Sequence, residues 1–460
     1  MWSEWVHGGV ILRQISTCVR LALVLAAAGC AADAPLDDET IPPQSPPAPG
    51  APAPGSPDPS SPDPSSPEPS TPEPSPPEPG APRSPSQGRV VAYFTAWSVY
   101  GRDFHVTDIP AELVTHINYA FVNISPEGEC VLGDPYADID RFYEGDSWET
   151  GSLRGSFHQL QLLKERHPHL RTLISIGGWS WSGRFSDVAL TQASRQRFAT
   201  SCVALMERYG FDGIDVDWEF PVSGGLASNV TRPEDRANYT LLLEEMRGQL
   251  DTLEGERLLT IAAPAGPAII ENLEAAELAH TLDWINVMTY DFHGGWSPMT
   301  NFNAPLFRSA DDPTEDTSVR EGFNVDAAVQ AYLGAGVPPE ELVLGVAFYG
   351  RGWSGVRASA DGLFQPHTGV PMGTWEAGIF DYGDLVASYI PAMTRYEHAD
   401  AQVPWLYDPD TQVMISYDDP ASIGVKTRYA RDLGLGGVMF WELNGDDASW
   451  SLLHAISDNL

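Results

Sequence analysis

From Arg89 to the end of the chain, short β-branched apolar runs alternate with amphipathic or Ala-rich stretches. Short apolar runs bounded by turn residues predict strands, and longer stretches with apolar positions three and four apart predict helices. Strands are therefore expected at 90–95, 116–123, 172–177, 213–220, 258–264, 284–290, 342–349 and 437–442. Helical patterns fall between them, as at 192–209, 235–253, 325–334 and 420–433. Eight such strands spread over about 370 residues predict an α/β fold, a (β/α)8 TIM barrel, whose plain form needs about 250 residues. The surplus must sit in insertions. The largest falls between the seventh and eighth strands, about 354–416, where short strand-like pieces carry Gly and Pro punctuation. A small α+β insertion domain is expected there. A doubly wound sheet is the rival architecture, but no glycine fingerprint for a dinucleotide follows the first strand.

The first 88 residues read differently. In 1–30, Arg13 and Arg20 precede a short apolar run at 21–28 and then Gly29-Cys30, the layout of a secretory signal. That run is too short for a bilayer, which needs about 20 apolar residues. The small residues before Cys30 resemble a bacterial lipobox, whose cysteine becomes lipidated, although Ala27 stands where that pattern has Leu. A lipid anchor and plain secretion both stay open, and either places the protein outside the cytosol or in the cell envelope. Residues 31–88 read as a disordered linker. Half of the chain's 40 prolines lie within 41–88, and 56–80 runs as five pentads, SPDPS, SPDPS, SPEPS, TPEPS and PPEPG. Proline fixes φ and removes donors, so an extended polyproline II spacer is expected, with a reach on the order of 150 Å.

Composition narrows the partners. The chain has 26 basic and 63 acidic side chains, a formal charge of −37, and −30 of this belongs to 89–460. Such a surface repels a phosphate backbone, which excludes a nucleic-acid partner and favours a neutral or cationic one. Aromatic residues are plentiful, 14 Trp, 16 Tyr and 17 Phe, and their faces can stack against neutral sugars, although most must fill the core. Four cysteines are too few for a disulfide scaffold. Cys130 and Cys202 are the two within the domain, and a bridge or a pair of buried thiols are both open.

The most informative segment is Asp212-Gly-Ile-Asp215-Val-Asp217-Trp-Glu219-Phe220. Side chains alternate across a strand, so Asp215, Asp217 and Glu219 share one face while Ile214, Val216 and Trp218 share the other. The apolar set suits packing against helices, which turns the acids into the barrel. Asp212 has the wrong parity and reads as structural. Row neighbours about 7 Å apart repel by roughly 2.4 kcal/mol at an effective dielectric near 20. At least one carboxyl should therefore stay protonated near neutral pH, the state a general acid needs. Glu219, nearest the C-terminal rim where barrel enzymes keep their chemistry, is the candidate donor. A solvated acidic strand, or a Mg or Ca site on three carboxylates, are the alternatives.

This row resembles the D-x-x-D-x-D-x-E signature of family 18 glycoside hydrolases, the chitinases, and the resemblance covers roughly 89–460. Ser175-Ile-Gly-Gly178-Trp179 is similar to the family's third-strand S-x-G-G, and Met288-Thr-Tyr290-Asp291-Phe-His-Gly294 to its sixth-strand block. Trp441 matches the Trp under the scissile sugar, and the segment after Gly350-Arg351 resembles the insertion domain of one branch. The resemblance implies substrate-assisted hydrolysis of β-1,4-linked N-acetylglucosamine in chitin or chitooligosaccharides, with retention through an oxazolinium ion and without metal or other cofactor. Glu219 would be acid and base, Asp217 would bind the acetamido N–H, Asp215 would share Asp217's proton, and Tyr290 would orient the acetamido group. Tyr93, Phe121, Trp179, Met288 and Trp441 would line the sugar site, with polar contacts from Asp291 and Arg351. Trp296 is a weaker subsite candidate. The histidines, including His293, show no zinc spacing and read as structural. A monomer is expected, touching a membrane only through a lipid anchor. A non-catalytic chitin-binding lectin and an endo-β-N-acetylglucosaminidase are the competing functions.

Overall fold

The computed structural model describes residues 88–460; the expected signal at 1–30, Cys30 and all but the last residue of the 31–88 linker lie outside the described residues. Eight parallel strands close on themselves: β1 Arg89–Thr95, β2 His116–Ile124, β3 Arg171–Gly177, β4 Gly213–Asp217, β5 Leu258–Ala263, β6 Trp284–Val287, β7 Leu342–Ala347 and β8 Gly437–Trp441. Each pairs with the next, and β8 returns to β1 with Arg89 opposite Gly437. The expected TIM barrel is the observed architecture.

Alternation along the strands makes two cores. Outward residues such as Phe94, Ile174, Ile214, Val216, Ile261 and Phe440 pack under the helices. Inward residues such as Val91, Tyr93, Leu173, Trp284, Val343 and Met439 fill the barrel. The surrounding helices include α1 Gly155–Arg166, α2 Gln192–Tyr209, α3 Asp235–Leu250, α4 Val325–Gly334 and α5 Pro420–Asp432. Local chemistry sets their ends. Thr191 caps α2 by accepting the Ser194 amide, and Gly210 closes it at φ 75°. Asp419 caps α5 ahead of Pro420, which needs no N–H partner there.

Five strands stop short of the expected ends. Those at 213–220, 258–264, 284–290, 342–349 and 437–442 end at Asp217, Ala263, Val287, Ala347 and Trp441. Apolar patterning continues past these points because the chain stays buried, but the ladder partners run out at the C-terminal rim. Beyond Asp217, the Glu219 amide donates to Ser182 Oγ at 2.8 Å instead of to a neighbouring strand.

Between β7 and β8 the chain forms a second, antiparallel sheet in the order Ile379–Asp381, Tyr349–Ser354, Val413–Ser416, Val403–Asp408, Thr394–His398. This is the insertion domain, with a core of Trp353, Leu363, Val403, Tyr407 and Met414, joined by Phe302 from the segment after β6. A fully buried ion pair joins its exit to the barrel: Lys426 Nζ on α5 lies 2.6 Å from Asp418 Oδ2 and donates to the Ala304 carbonyl at 2.5 Å.

Cys130 and Cys202 form a disulfide, which the sequence left open. It ties the short strand Cys130–Val131, an edge extension beside β2, to α2 across 72 residues of chain. A closed loop of that length restricts the unfolded chain. Replacing both cysteines by serine is expected to lower the unfolding free energy by about 2–4 kcal/mol, read in urea, while the far-UV circular dichroism of the native state stays unchanged.

Candidate active site

The acid row points inward as its parity requires. Asp215 is fully buried and Asp217 nearly so, while Ile214 and Val216 face the helices. Trp218 leaves the row on the outer side, stacked on Phe185 at 5.4 Å and edge-on to Tyr239 at 5.1 Å. That anchoring sends Glu219 up onto the floor of a cleft of about 1040 Å³ at the C-terminal rim. Ser182 steadies the turn, its Oγ lying 3.0 Å from the Asp217 carbonyl as it receives the Glu219 amide.

Asp215 meets four donors. Tyr93 Oη and Ser175 Oγ donate to Oδ2 at 2.7 and 2.8 Å, and Thr260 Oγ1 and Asn286 Nδ2 donate to Oδ1 at 2.5 and 3.4 Å. Both oxygens are thus taken by the protein, which stabilises a carboxylate away from water. Among the described residues, no group of three or more His, Cys, Asp or Glu side chains is placed to hold a metal ion.

Asp217 lies well above the usual carboxylate range. Burial is the largest cause, followed by the charge of Asp215, a hydrogen bond with Asp215 and the charge of Glu219; the Tyr93 hydroxyl opposes them. The Asp217 carboxyl therefore carries a proton directed at Asp215. Glu219 is pushed up to about 8, first by burial and then by the negative charge of Asp291. This corrects the expectation that repulsion along the row keeps Glu219 protonated: that repulsion acts on Asp217, and a different acid acts on Glu219.

Asp291 comes from the segment after β6, at φ 58°. Its carboxylate accepts Tyr349 Oη at 2.8 Å and is clamped by Arg351 through Nε at 2.8 Å and Nη2 at 2.6 Å. Tyr349 and Arg351 belong to the first strand of the insertion domain, so this bidentate pair sits where barrel and insertion meet over the cleft. Trp296 covers the Arg351 guanidinium at 5.0 Å and is largely exposed.

The remaining expected residues line the same cleft: Tyr93, Phe121, Trp179, Met288, Tyr290 and Trp441. Trp441 stacks on Phe121 at 5.8 Å and tilts against Tyr93 at 5.4 Å, making an aromatic floor. Trp179 is half exposed at the rim. The glycines before it are needed, since a Cβ on Gly178, at φ 71°, would fall 2.6 Å from the Phe121 ring. Tyr290 directs its hydroxyl to Met439 Sδ at 3.8 Å, and burial raises its pKa well above the usual phenol value, keeping that proton in place.

Two residues read as structural behave so. Asp212 accepts the Thr172 amide at 2.8 Å and pairs with Lys164 at 2.8 Å. His293 is buried, lowered to about 4 by that burial, and lies 3.3 Å from Ser297 Oγ.

Other cleft residues carried no signal in the sequence reading. Trp97, Arg102, Trp375, Asp381 and Glu442 gather at one part of the wall. Arg102 pairs with Glu442 at 3.4 Å and lies over Trp375 at 5.2 Å, while Trp375 Nε1 donates to Asp381 at 3.0 Å. Burial lifts Glu442 to about 7 against the pull of Arg102. Thr260 and Asn286 were also missed, although polar residues at inward positions of apolar strands could have marked them.

The family described as Glycosyl hydrolases family 18 matches residues 89–446. Chitinase A1 of Niallia circulans is 45% identical over 395 residues, covering 78% of this chain and 56% of that protein. Chitinase 1 of Aphanocladium album is 39% identical over 374 residues, covering 79% of this chain and 84% of that one. Among solved structures, chitinase ChiA74 from Bacillus thuringiensis superposes with a TM-score of 0.78 at 38% identity, over 82% of this chain and 70% of that one. This chain thus spans little more than half the length of the Niallia circulans relative.

Asp291→Asn removes the charge that helps hold Glu219 protonated. Its titration midpoint, followed by carboxyl 13C NMR, is expected to drop from about 8 by roughly one unit.

Proposed function

The chain belongs to glycosyl hydrolase family 18, and on that premise we propose that it is a chitinase cutting β-1,4 bonds between N-acetylglucosamine units with retention of configuration. The observation that carries this reading is Glu219: it opens onto the cleft floor, next to a carboxyl pair, with burial pushing it up to about 8. At neutral pH it therefore holds a proton to give.

With a sugar seated on Trp441, Glu219 protonates the glycosidic oxygen as the substrate's own 2-acetamido oxygen attacks the anomeric carbon, and the glycosidic C–O bond breaks. The acetamido group becomes an oxazolinium ion. Asp217 still has a carbonyl oxygen to accept the acetamido N–H while its O–H points at Asp215. As positive charge grows, that proton passes to Asp215 and leaves Asp217 anionic beside the cation, in a site where the low dielectric makes the charge effective. Tyr290 supplies a hydroxyl to the acetamido oxygen. The Glu219 carboxylate then takes a proton from the incoming water, which opens the ring from the side the leaving group vacated. Two displacements give retention, and no step calls on a metal or cofactor.

A lectin reading is less favoured because the acid is present and its proton is held. Chitin and its oligosaccharides are the proposed partners, consistent with the aromatic floor and the acidic surface. Export is proposed from the leader at 1–30, with Cys30 as the candidate lipidation site. Among the described residues no helix is long and apolar enough to cross a membrane. Cys30→Ala is expected to move the protein from the membrane fraction to the medium, and unchanged partitioning would refute the anchor.

Glu219→Gln is expected to lower chitohexaose turnover by roughly 10^2–10^4-fold while oligosaccharide binding by calorimetry persists; near-normal turnover would remove Glu219 from the acid role. Early products read by NMR should be the β-anomer, and an early α-anomer would contradict retention.

A further inference from the structure

Asp215 is placed by more than the residues beside the sugar. Barrel register sets Ser175 and Thr260 on either side of it, on β3 and β5. The Thr260 hydroxyl, fully buried, donates to Asp215 Oδ1 at 2.5 Å. Asn286, one strand further on, reaches the same oxygen at 3.4 Å. An amide can turn either end toward a neighbour, and here Trp284 decides. Its Nε1–H can only donate, and it bonds Asn286 Oδ1 at 2.9 Å, which leaves the NH2 to face Asp215. Trp284 is itself held below the site, edge-on to His116 at 4.8 Å and under Arg89 at 4.9 Å.

We propose that Thr260, Asn286 and Trp284 are positioning residues for the carboxyl pair. They hold Asp215 as the acceptor for the Asp217 proton and set how readily that proton crosses as the oxazolinium cation forms. The inference rests on the reading given under Proposed function. In the step concerned, the Asp217 O–H bond breaks as an O–H bond to Asp215 forms, and the proton returns when the product leaves. None of the three touches the sugar. They act through Asp215, and removing one changes the energy of the transfer more than the fit of the substrate.

The pair works with one proton. Facing it are Tyr93 from β1, Tyr290 after β6 and Glu219 above it, while Tyr239 from α3 lies behind β4, its hydroxyl donating to the Val216 carbonyl at 3.3 Å. The donors on Asp215 oppose uptake of a second proton, which would silence the pair. Taking one away lets that second proton add at higher pH, so the acid limb of the kcat/KM profile moves upward.

The test compares pH–rate profiles on chitohexaose for the full chain and for Thr260→Val, which keeps shape but loses the donor. The expected result is an acid limb about one pH unit higher and a kcat roughly tenfold lower, with KM little changed. Thr260→Ser should restore both. Trp284→Phe, which frees the Asn286 amide to turn, should shift the limb the same way by less, and it serves if the valine variant does not fold. A Thr260→Val enzyme with the parent's acid limb and kcat overturns the proposal, whether or not its thermal midpoint falls. Inactivity of the unaltered chain on chitohexaose would instead overturn the functional reading on which the proposal stands.

Discussion

A carboxylate inside a barrel is tolerated only where donors replace the water it has lost. Asp215 is that group, and the barrel's register supplies what it needs: Tyr93 from β1, Ser175 from β3, Thr260 from β5 and Asn286 from β6 all converge on its two oxygens. With both Asp215 oxygens accepting from these donors, Asp217 above it finds an acceptor for a proton, and burial favours keeping that proton. One ionised and one protonated acid in contact make an arrangement that neither could hold alone. The catalytic proposal depends on this asymmetry, since it leaves a negative charge available beside a developing cation without placing two in the core.

The second proton is governed from elsewhere. Glu219 sits at the junction of two architectures, on a barrel strand's outgoing turn but within the field of Asp291. Arg351 and Tyr349 hold Asp291, and they enter on the insertion domain's first strand. The insertion therefore does more than raise the cleft wall. Its first strand fixes a charge that affects the acid on the barrel floor.

Much of this was readable from residue order. Strict alternation in β4 put Asp215, Asp217 and Glu219 on one face because the intervening Ile214, Val216 and Trp218 needed apolar surroundings, and the structure packs them so. The eight strands were legible for the same reason. Their C-terminal ends were not, because burial persists after the hydrogen-bond ladder stops and apolar patterning reports burial. The source of Glu219's proton affinity was misassigned, since local spacing shows Asp217 two residues away and cannot show Asp291 arriving from another strand. Trp375 and Arg102 meet only in three dimensions, one from the insertion and one from the loop after β1. The disulfide was undecided because pairing depends on how β2 and α2 lie side by side.

The central claim is a distribution of protons: one on Asp217, one on Glu219, none on Asp215. Neutron diffraction from a deuterium-exchanged crystal near pH 7 reads it directly. The account predicts deuterium on a carboxyl oxygen of Asp217 and of Glu219, with the Asp215 oxygens bare and surrounded by donated deuterons from Tyr93, Ser175 and Thr260. Deuterium bound to Asp215 with Asp217 bare, or a bare Glu219, would contradict it.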